Sequence, residues 1–284
     1  LIFLWPSQDR IDFIKKNYNT KIIPPVNINQ EEMKWRFDNL LFPMIDLFPV
    51  KFDKIEIIYN RKEEINFKNY SHIYPEEYTK NNPIGTNVAE MFSYDRNEII
   101  KYGQRTNKKS KELVNGFFKS NNLDPTKCIT ITIRNYNFDK SRDSDPSVWL
   151  DFARYLKRNG IIVIIIPDTD NLWGIKIFEN EFICMPECSI NLKLRFSLYE
   201  KTVFNFFTTG GPGGQSSYSS TKINFALYRC QEKKDSIVNT KANYKVIGEN
   251  KQPKFLDHNQ YYIYEDETLE GLIEFYKKNI ESLH

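Results

Sequence analysis

The sequence predicts an α/β protein whose C-terminal half is built on a largely parallel sheet, and three observations predict it. Residues 161–166 (IIVIII) are an unbroken apolar run, the pattern of a strand covered on both faces. Residues 128–134 (CITITIR) are a second run rich in β-branched side chains, as a buried strand requires. From there on, strand and helix signals alternate, the order that builds layered α/β domains.

Each element has its own warrant. After the strand at 128–134, Asp145, Pro146 and Ser147 supply a helix start. Val148, Leu150, Phe152, Ala153, Tyr155 and Leu156 give that helix its apolar face, and Gly160 stops it. The run at 161–166 follows and is closed by Pro167 and Asp168. Residues 182–186 make a shorter strand. Residues 191–203 (NLKLRFSLYEKTV) make a helix with Asn191 as N-cap. Residues 203–208 are the next strand, a glycine-rich loop follows at 210–217, and residues 223–228 form a further strand. A final helix at 268–283 carries Leu269, Leu272, Ile273, Tyr276 and Ile280 on one face and is expected to pack back across the domain boundary.

The N-terminal part is less regular. A helix is expected at 9–17, and a better one at 31–48, with Met33, Phe37, Leu40, Leu41, Met44, Ile45 and Phe48 at helical spacing. Pro43 is expected to kink or break it. Residues 54–59 (KIEIIY) read as a strand and 81–83 as a turn. The polar, basic stretch 104–111 (QRTNKKSK) leads into a helix at 112–118. It marks the junction between an N-terminal α/β lobe (1–110) and a C-terminal Rossmann-like lobe (111–284), so two Rossmann-like lobes are expected.

Composition narrows the partners. The 284 residues suffice for one large or two modest domains. Basic and acidic side chains number 40 and 37, so the net charge of +3 provides no field that argues for nucleic acid. Of the four cysteines, Cys184 and Cys188 are closest, and no histidine lies near them; His72, His258 and His284 are scattered. That pattern disfavours zinc and fits reduced thiols in a cytoplasmic protein. No run of about 18 apolar residues occurs, so no transmembrane segment is expected.

The most informative motif is GGPGGQSS at residues 210–217. Four glycines in five residues let the backbone reach positive φ and approach a ligand with no Cβ in the way. Set after a strand, such a loop aims N–H groups and a helix N-terminus at a phosphate. Ligands of parallel α/β sheets bind outside the carboxyl ends of the strands. Arg134 and Arg142 follow one strand, Asp168 and Asp170 the next, and the glycine loop a third. Arginine's planar fork suits a diphosphate, and a carboxylate suits sugar or ribose hydroxyls. The candidate phosphate-binding residues are therefore Arg134, Arg142, Gly211, Gly213, Gly214, Gln215 and Ser216. Asp168, Asp170 and Glu200 are the candidates for binding nucleoside or sugar hydroxyls. Simpler duties compete: strand closure for the aspartates, solvation for Arg142, and a structural ion pair for Arg195. Tyr59, Asn60 and Arg61 end a strand in the first half, where generic loop chemistry is the stronger reading than an acceptor-side role.

The chain then resembles a known family. A strand ends in Arg134, an Arg-Asp-Ser loop follows (Arg142 to Ser144), and a helix contains Trp149. Next come a strand ending in Pro167-Asp168, a Leu-Arg-x-x-Leu-Tyr-Glu helix (Leu194 to Glu200), and a strand followed by a Gly-Pro turn. Over residues 128–228 this pattern is similar to the donor-binding half of GT-B glycosyltransferases, of the fucosyltransferase-like or bacterial surface-polysaccharide kind. The resemblance implies a transferase using a nucleotide-sugar donor and a glycan or lipid-linked acceptor, with no metal or other cofactor. It implicates Arg134, Gly213 and Gly214 in holding the diphosphate. The His-x-Arg signature of the fucosyltransferase-like enzymes is not kept, since Thr132 stands where its histidine would be.

Alternatives come from other classes. Asp168-Thr169-Asp170 has the letters of a metal-binding D-x-D pair, as a GT-A transferase would use. A non-catalytic nucleotide- or sugar-binding protein on the same frame has the same sequence signals. A dinucleotide-dependent oxidoreductase is disfavoured because the glycines follow a late strand, and a P-loop because no Gly-Lys-Ser/Thr occurs.

Overall fold

The computed structural model describes residues 2–4, 30–49, 56–58, 95–135, 140–172, 175–229 and 252–283. The expected helix at 9–17, the turn at 81–83, the trio Tyr59, Asn60 and Arg61, and Trp173, Cys230, His72 and His284 lie outside them.

Strands β1 (Ile2–Leu4) and β2 (Glu56–Ile58) pair in parallel, Ile2 opposite Glu56 and Leu4 opposite Ile58. Between them in sequence run α1 (Gln30–Arg36), a π-helical turn (Phe37–Leu41) and α2 (Phe42–Ile45). The disturbance expected at Pro43 takes the form of the π-helical turn just before it, not of a chain break. Proline has no N–H to return to the preceding turn, and here that turn widens instead. The Phe42 N–H reaches back to Phe37 O, which places Pro43 in the first turn of α2, where a missing N–H is harmless.

Helix α3 (Arg96–Tyr102) was not expected, although its signal is legible. Asp95 accepts from Glu98 N–H at 3.0 Å while Glu98 accepts from Asp95 N–H at 2.9 Å, a reciprocal capping box. Helix α4 (Lys108–Ser120) starts earlier than the 112–118 expected because Asn107 caps it. Between them the chain crosses the 218–220 segment closely. A Cβ on Gly103 would lie 2.4 Å from Ile99 O and 2.5 Å from Tyr218 O, so only glycine fits there.

The remaining elements are β3 (Cys128–Thr132), α5 (Pro146–Arg158), β4 (Ile162–Ile166), α6 (Lys176–Glu179), β5 (Ile183–Cys184), α7 (Glu187–Ile190), α8 (Leu192–Lys201), β6 (Phe204–Thr208), α9 (Gly211–Ser217), β7 (Phe225–Tyr228), β8 (Gln260–Tyr262) and α10 (Leu269–Asn279); α6, α7, α9 and β8 were not expected, and the others come in the expected order. The sheet has six strands, ordered β5-β4-β3-β6-β7-β8, with every pair parallel. Renumbered from β3, that is the doubly wound order, with its reversal between β3 and β6.

Strand alternation divides the core into two layers. Ile129 and Ile131 face Trp149, Phe152 and Leu156 of α5 and Leu272 and Tyr276 of α10. Cys128 faces the other way, with Val114 and Phe118 of α4 and Phe196 and Tyr199 of α8. The terminal helix therefore lies against α5, within the same layer.

One expectation is corrected here. Residues 211–217 are not a loop but α9 itself. Gly210 is extended at φ −177°, and Pro212 sits in the first turn, where its fixed φ favours helix. Among the described glycines only Gly160, just past the end of α5, has a positive φ, +80°.

Asp145 caps α5, accepting from Ser147 N–H at 3.0 Å, Val148 N–H at 3.4 Å and the Ser147 hydroxyl at 2.6 Å. The Ser147 hydroxyl is the largest influence holding its carboxyl below the ordinary 3.8, against a desolvation that raises it. Asp145→Ala is expected to cost about 1 kcal/mol in denaturant unfolding at pH 7. A depressed folded-state value means the carboxylate's contribution is complete above 3.8 and fades as pH falls through the lowered value. The difference between wild type and variant should therefore shrink on acidification; a gap that stays constant through that range would contradict the cap.

Candidate functional site

A crevice of about 210 Å³ opens at the carboxyl edge of the sheet, at the reversal between β3 and β6. Its walls are the strand ends: Thr132 and Arg134 after β3, Asp168 and Asp170 after β4, and Thr208 with Gly210, Gly211 and Pro212 after β6. Arg36 and Leu40 close one side from α1 and the π-turn, and Arg195 enters from α8.

The floor is a polar layer tied together by hydrogen bonds. Thr132 Oγ1 and the Tyr199 hydroxyl share a hydrogen bond of 2.8 Å. Burial pushes Tyr199 up to about 12, so it is a neutral phenol at ordinary pH. Beneath them Thr130 donates to Asn205 Oδ1 at 2.6 Å. Arg134 is fixed through its backbone: its N–H donates to Ser144 Oγ at 2.8 Å, and its carbonyl accepts from Ser144 N–H at 2.9 Å. Ser144 Oγ also meets Thr208 Oγ1 at 2.7 Å, tying the β3 loop to β6. Glu267, buried, secures the same loop by accepting from Asp145 N–H at 2.9 Å and from Arg229 Nε. Arg229 in turn donates to Asp143 O at 2.6 Å.

The Arg134 guanidinium lies over Gly210, where a Cβ would come 2.9 Å from Nη1. It therefore sits beside the first turn of α9, where Pro212 has no N–H, Gly214 N–H donates to Gly210 O at 3.1 Å, and the Gly211 and Gly213 N–H groups precede the first intrahelical bond. A cation beside the positive end of a helix is unfavourable by itself, and an anion between the two relieves both.

The carboxylates are engaged. Asp168 accepts from Asn135 N–H at 3.1 Å and from Asp170 N–H at 3.3 Å, closing the turn after β4. Asp170 Oδ1 accepts from Arg36 Nη2 at 3.1 Å. Among the described residues no three His, Cys, Asp or Glu side chains gather as a metal site would need. Burial pushes the Cys128 and Cys188 thiols up to about 12 and Cys184 to about 11, so none is a thiolate nucleophile at neutral pH.

The structure brings Arg134, Asp168, Asp170, Gly211 and Gln215 to the crevice and leaves the other candidates elsewhere. Arg142 Nη2 donates to Thr209 O at 3.0 Å, outside the lining. Gly213 is buried against Leu227 and Phe207, since α9 packs directly on β6 and β7. Ser216 is fully buried and donates to Pro212 O at 2.8 Å within α9. Gly214 faces a neighbouring apolar cavity. Glu200 is held by Thr106 at 2.6 Å, Thr221 at 2.5 Å and Lys111 at 3.0 Å, and lines a different pocket. It pins α8 to α4 and to the 218–221 segment.

Sequence reasoning missed Arg36 and passed over Arg195. Arg195 has a readable signal: with Leu192, Phe196 and Tyr199 it falls on one helical face, so a charge occupies a core position. The apolar cavity, about 670 Å³, was also not foreseen. Met44, Phe48, Ile99, Tyr102 and Tyr218 line it, and it shares Gln215 with the crevice.

No protein-family model and no curated protein matches the chain. Among solved structures it is similar to a glycosyl transferase family 9 protein from Veillonella parvula, at 13% identity and a TM-score of 0.43, over 64% of this chain and 53% of that one. It is also similar to ADP-heptose lps heptosyltransferase II from E. coli, at 10% identity and a TM-score of 0.41, over 64% of this chain and 54% of that one. The matched region thus spans about half the length of those chains. Neither is described as a fucosyltransferase. No described helix is long and apolar enough to cross a membrane.

Proposed function

We propose that the protein is a glycosyltransferase that moves a sugar from a nucleotide-diphosphate donor to a glycan or lipid-linked acceptor, with the diphosphate in the crevice between β3 and β6. One observation carries the reading: at the reversal of the strand order, the Arg134 guanidinium is laid across Gly210 beside the open first turn of α9. In transfer, the bond between the anomeric carbon and the diphosphate oxygen breaks and negative charge gathers on the leaving group. Fixed cations and amides aimed at that charge lower the barrier without a metal. Asp168 and Asp170, already bound to Asn135, Arg36 and their own turn, serve to hold the crevice wall. The acceptor belongs on the side of residues 1–110, the part we assign to a second lobe. The apolar cavity joined to the crevice at Gln215 favours an acceptor with a hydrocarbon portion.

A thermal-shift screen of UDP, GDP, ADP, CMP and dTDP sugars tests the reading, since a ligand that binds the native state raises the apparent Tm. The best donor should then be turned over in the presence of EDTA. No stabilisation by any donor would end the proposal. Binding without turnover, with or without added acceptors, would leave a sugar-nucleotide-binding protein. Turnover abolished by EDTA and restored by Mn²⁺ would make Asp168 and Asp170 metal ligands.

A further inference from the structure

We infer that Arg195 is a second cationic contact for the donor diphosphate, reaching the crevice floor from α8 opposite Arg134; the inference rests on the crevice being a diphosphate site. An ion pair is the ordinary reason for an arginine in an apolar helix, and among the described residues Arg195 has none. Arg195 is 4% exposed, and its partners are two backbone carbonyls: Nε donates to Cys188 O and Nη2 to Ser189 O, each at 2.6 Å. No carboxylate pairs with it among the described residues.

Two carbonyls account for two of a guanidinium's five N–H donors, and as the last carbonyls of α7 they offset only part of its charge. A buried charge without a counter-charge is costly, so a site that retains one implies an anion for part of its working cycle. The carbonyls of α7 favour a cation, but a four-residue helix supplies no full counter-charge. The carbonyls grip the Nε edge, and the side chain borders the crevice beside Thr132 and Leu192. Arg134 comes to the same crevice from the end of β3, over Gly210. Two guanidinium forks entering from different elements match two linked phosphates better than one.

Inorganic pyrophosphate is the probe, titrated calorimetrically at fixed ionic strength into wild type, Arg195→Gln, Arg195→Lys and Arg134→Ala, with denaturant unfolding of each. Arg195→Gln should bind at least tenfold more weakly than wild type while still unfolding cooperatively, and Arg195→Lys should fall between. Equal affinity in wild type and folded Arg195→Gln overturns the inference and leaves the transferase reading intact if Arg134→Ala has lost binding. If Arg195→Gln does not fold, wild type decides: its Arg195 Nε–H resonance, assigned by its loss in Arg195→Lys, should shift with pyrophosphate. A resonance unmoved at saturation overturns the inference, as does a wild type that binds no pyrophosphate. Pyrophosphate bound through Arg195 by a protein that transfers no sugar would uphold the contact and defeat the transferase reading.

Discussion

Arg134→Ala is expected to weaken binding of the preferred nucleoside diphosphate by roughly one to two powers of ten, since hydrogen bonds to charged groups contribute about 1.5–3 kcal/mol each. The fold should survive, because the two hydrogen bonds between residues 134 and 144 run through the Arg134 backbone and remain. Arg134→Lys should recover part of the loss, as an ammonium supplies the charge but not the planar fork. A third variant isolates position from charge. In Gly210→Ala the new Cβ would meet Arg134 Nη1 at 2.9 Å, and the arginine's tip can swing away at little cost to stability. Affinity should then drop while the unfolding midpoint stays put. Wild-type affinity in both Arg134→Ala and Gly210→Ala would remove the crevice from consideration.

Gly213→Val is expected to destabilise the protein by about 3 kcal/mol, the upper range for forcing extra atoms into a packed core. Its Cβ would fall 2.4 Å from Leu227 Cδ1 and 3.2 Å from Phe207 Cβ, and both neighbours are buried. The next residue behaves differently. A Cβ on Gly214 meets nothing within 4 Å, so Gly214→Val should stay within about 0.5 kcal/mol of wild type. Urea unfolding of the pair checks this, and a Gly213→Val midpoint equal to that of wild type would show that α9 does not pack on β6 and β7 as described. The contrast also separates two views of the glycine run. An exposed phosphate loop would lose binding at residue 213 and keep its fold; a buried helix turn loses the fold.

What the sequence revealed follows from where each signal is stored. Strand β4 was legible because a strand covered on both faces is apolar throughout, and β3 and β6 because β-branched and aromatic side chains dominate them. Helix α5 was legible because Asp145 and Gly160 mark its ends, and α8 because Asn191 caps it. The glycine run misled because glycine punctuates loops more often than it starts helices, while the opposing signal was a single residue, Pro212. Strand β8 went unread: it has three residues and gains its identity from pairing with β7. In the crevice, Arg134, Asp168 and Asp170 could be found because strand ends in a parallel sheet share an edge. Arg36 and the shape of the apolar cavity could not. They depend on how α1, α2 and α3 lie against the sheet, and no local periodicity encodes that.

The edges of the sheet have a consequence for behaviour in a crowded solution. A strand with one unpaired side is a template on which another chain can add. Here the outermost strands are the shortest, β5 with two residues and β8 with three, whereas the four inside them have four or five. Pro186 follows β5 closely and offers no N–H to an incoming strand. The most aggregation-prone segments, IVIII of β4 and FNFFT of β6, are sealed between neighbours on both sides. The six-stranded sheet thus presents little on which a fibre could begin, and its hazard lies with chains that have not yet inserted β4 and β6.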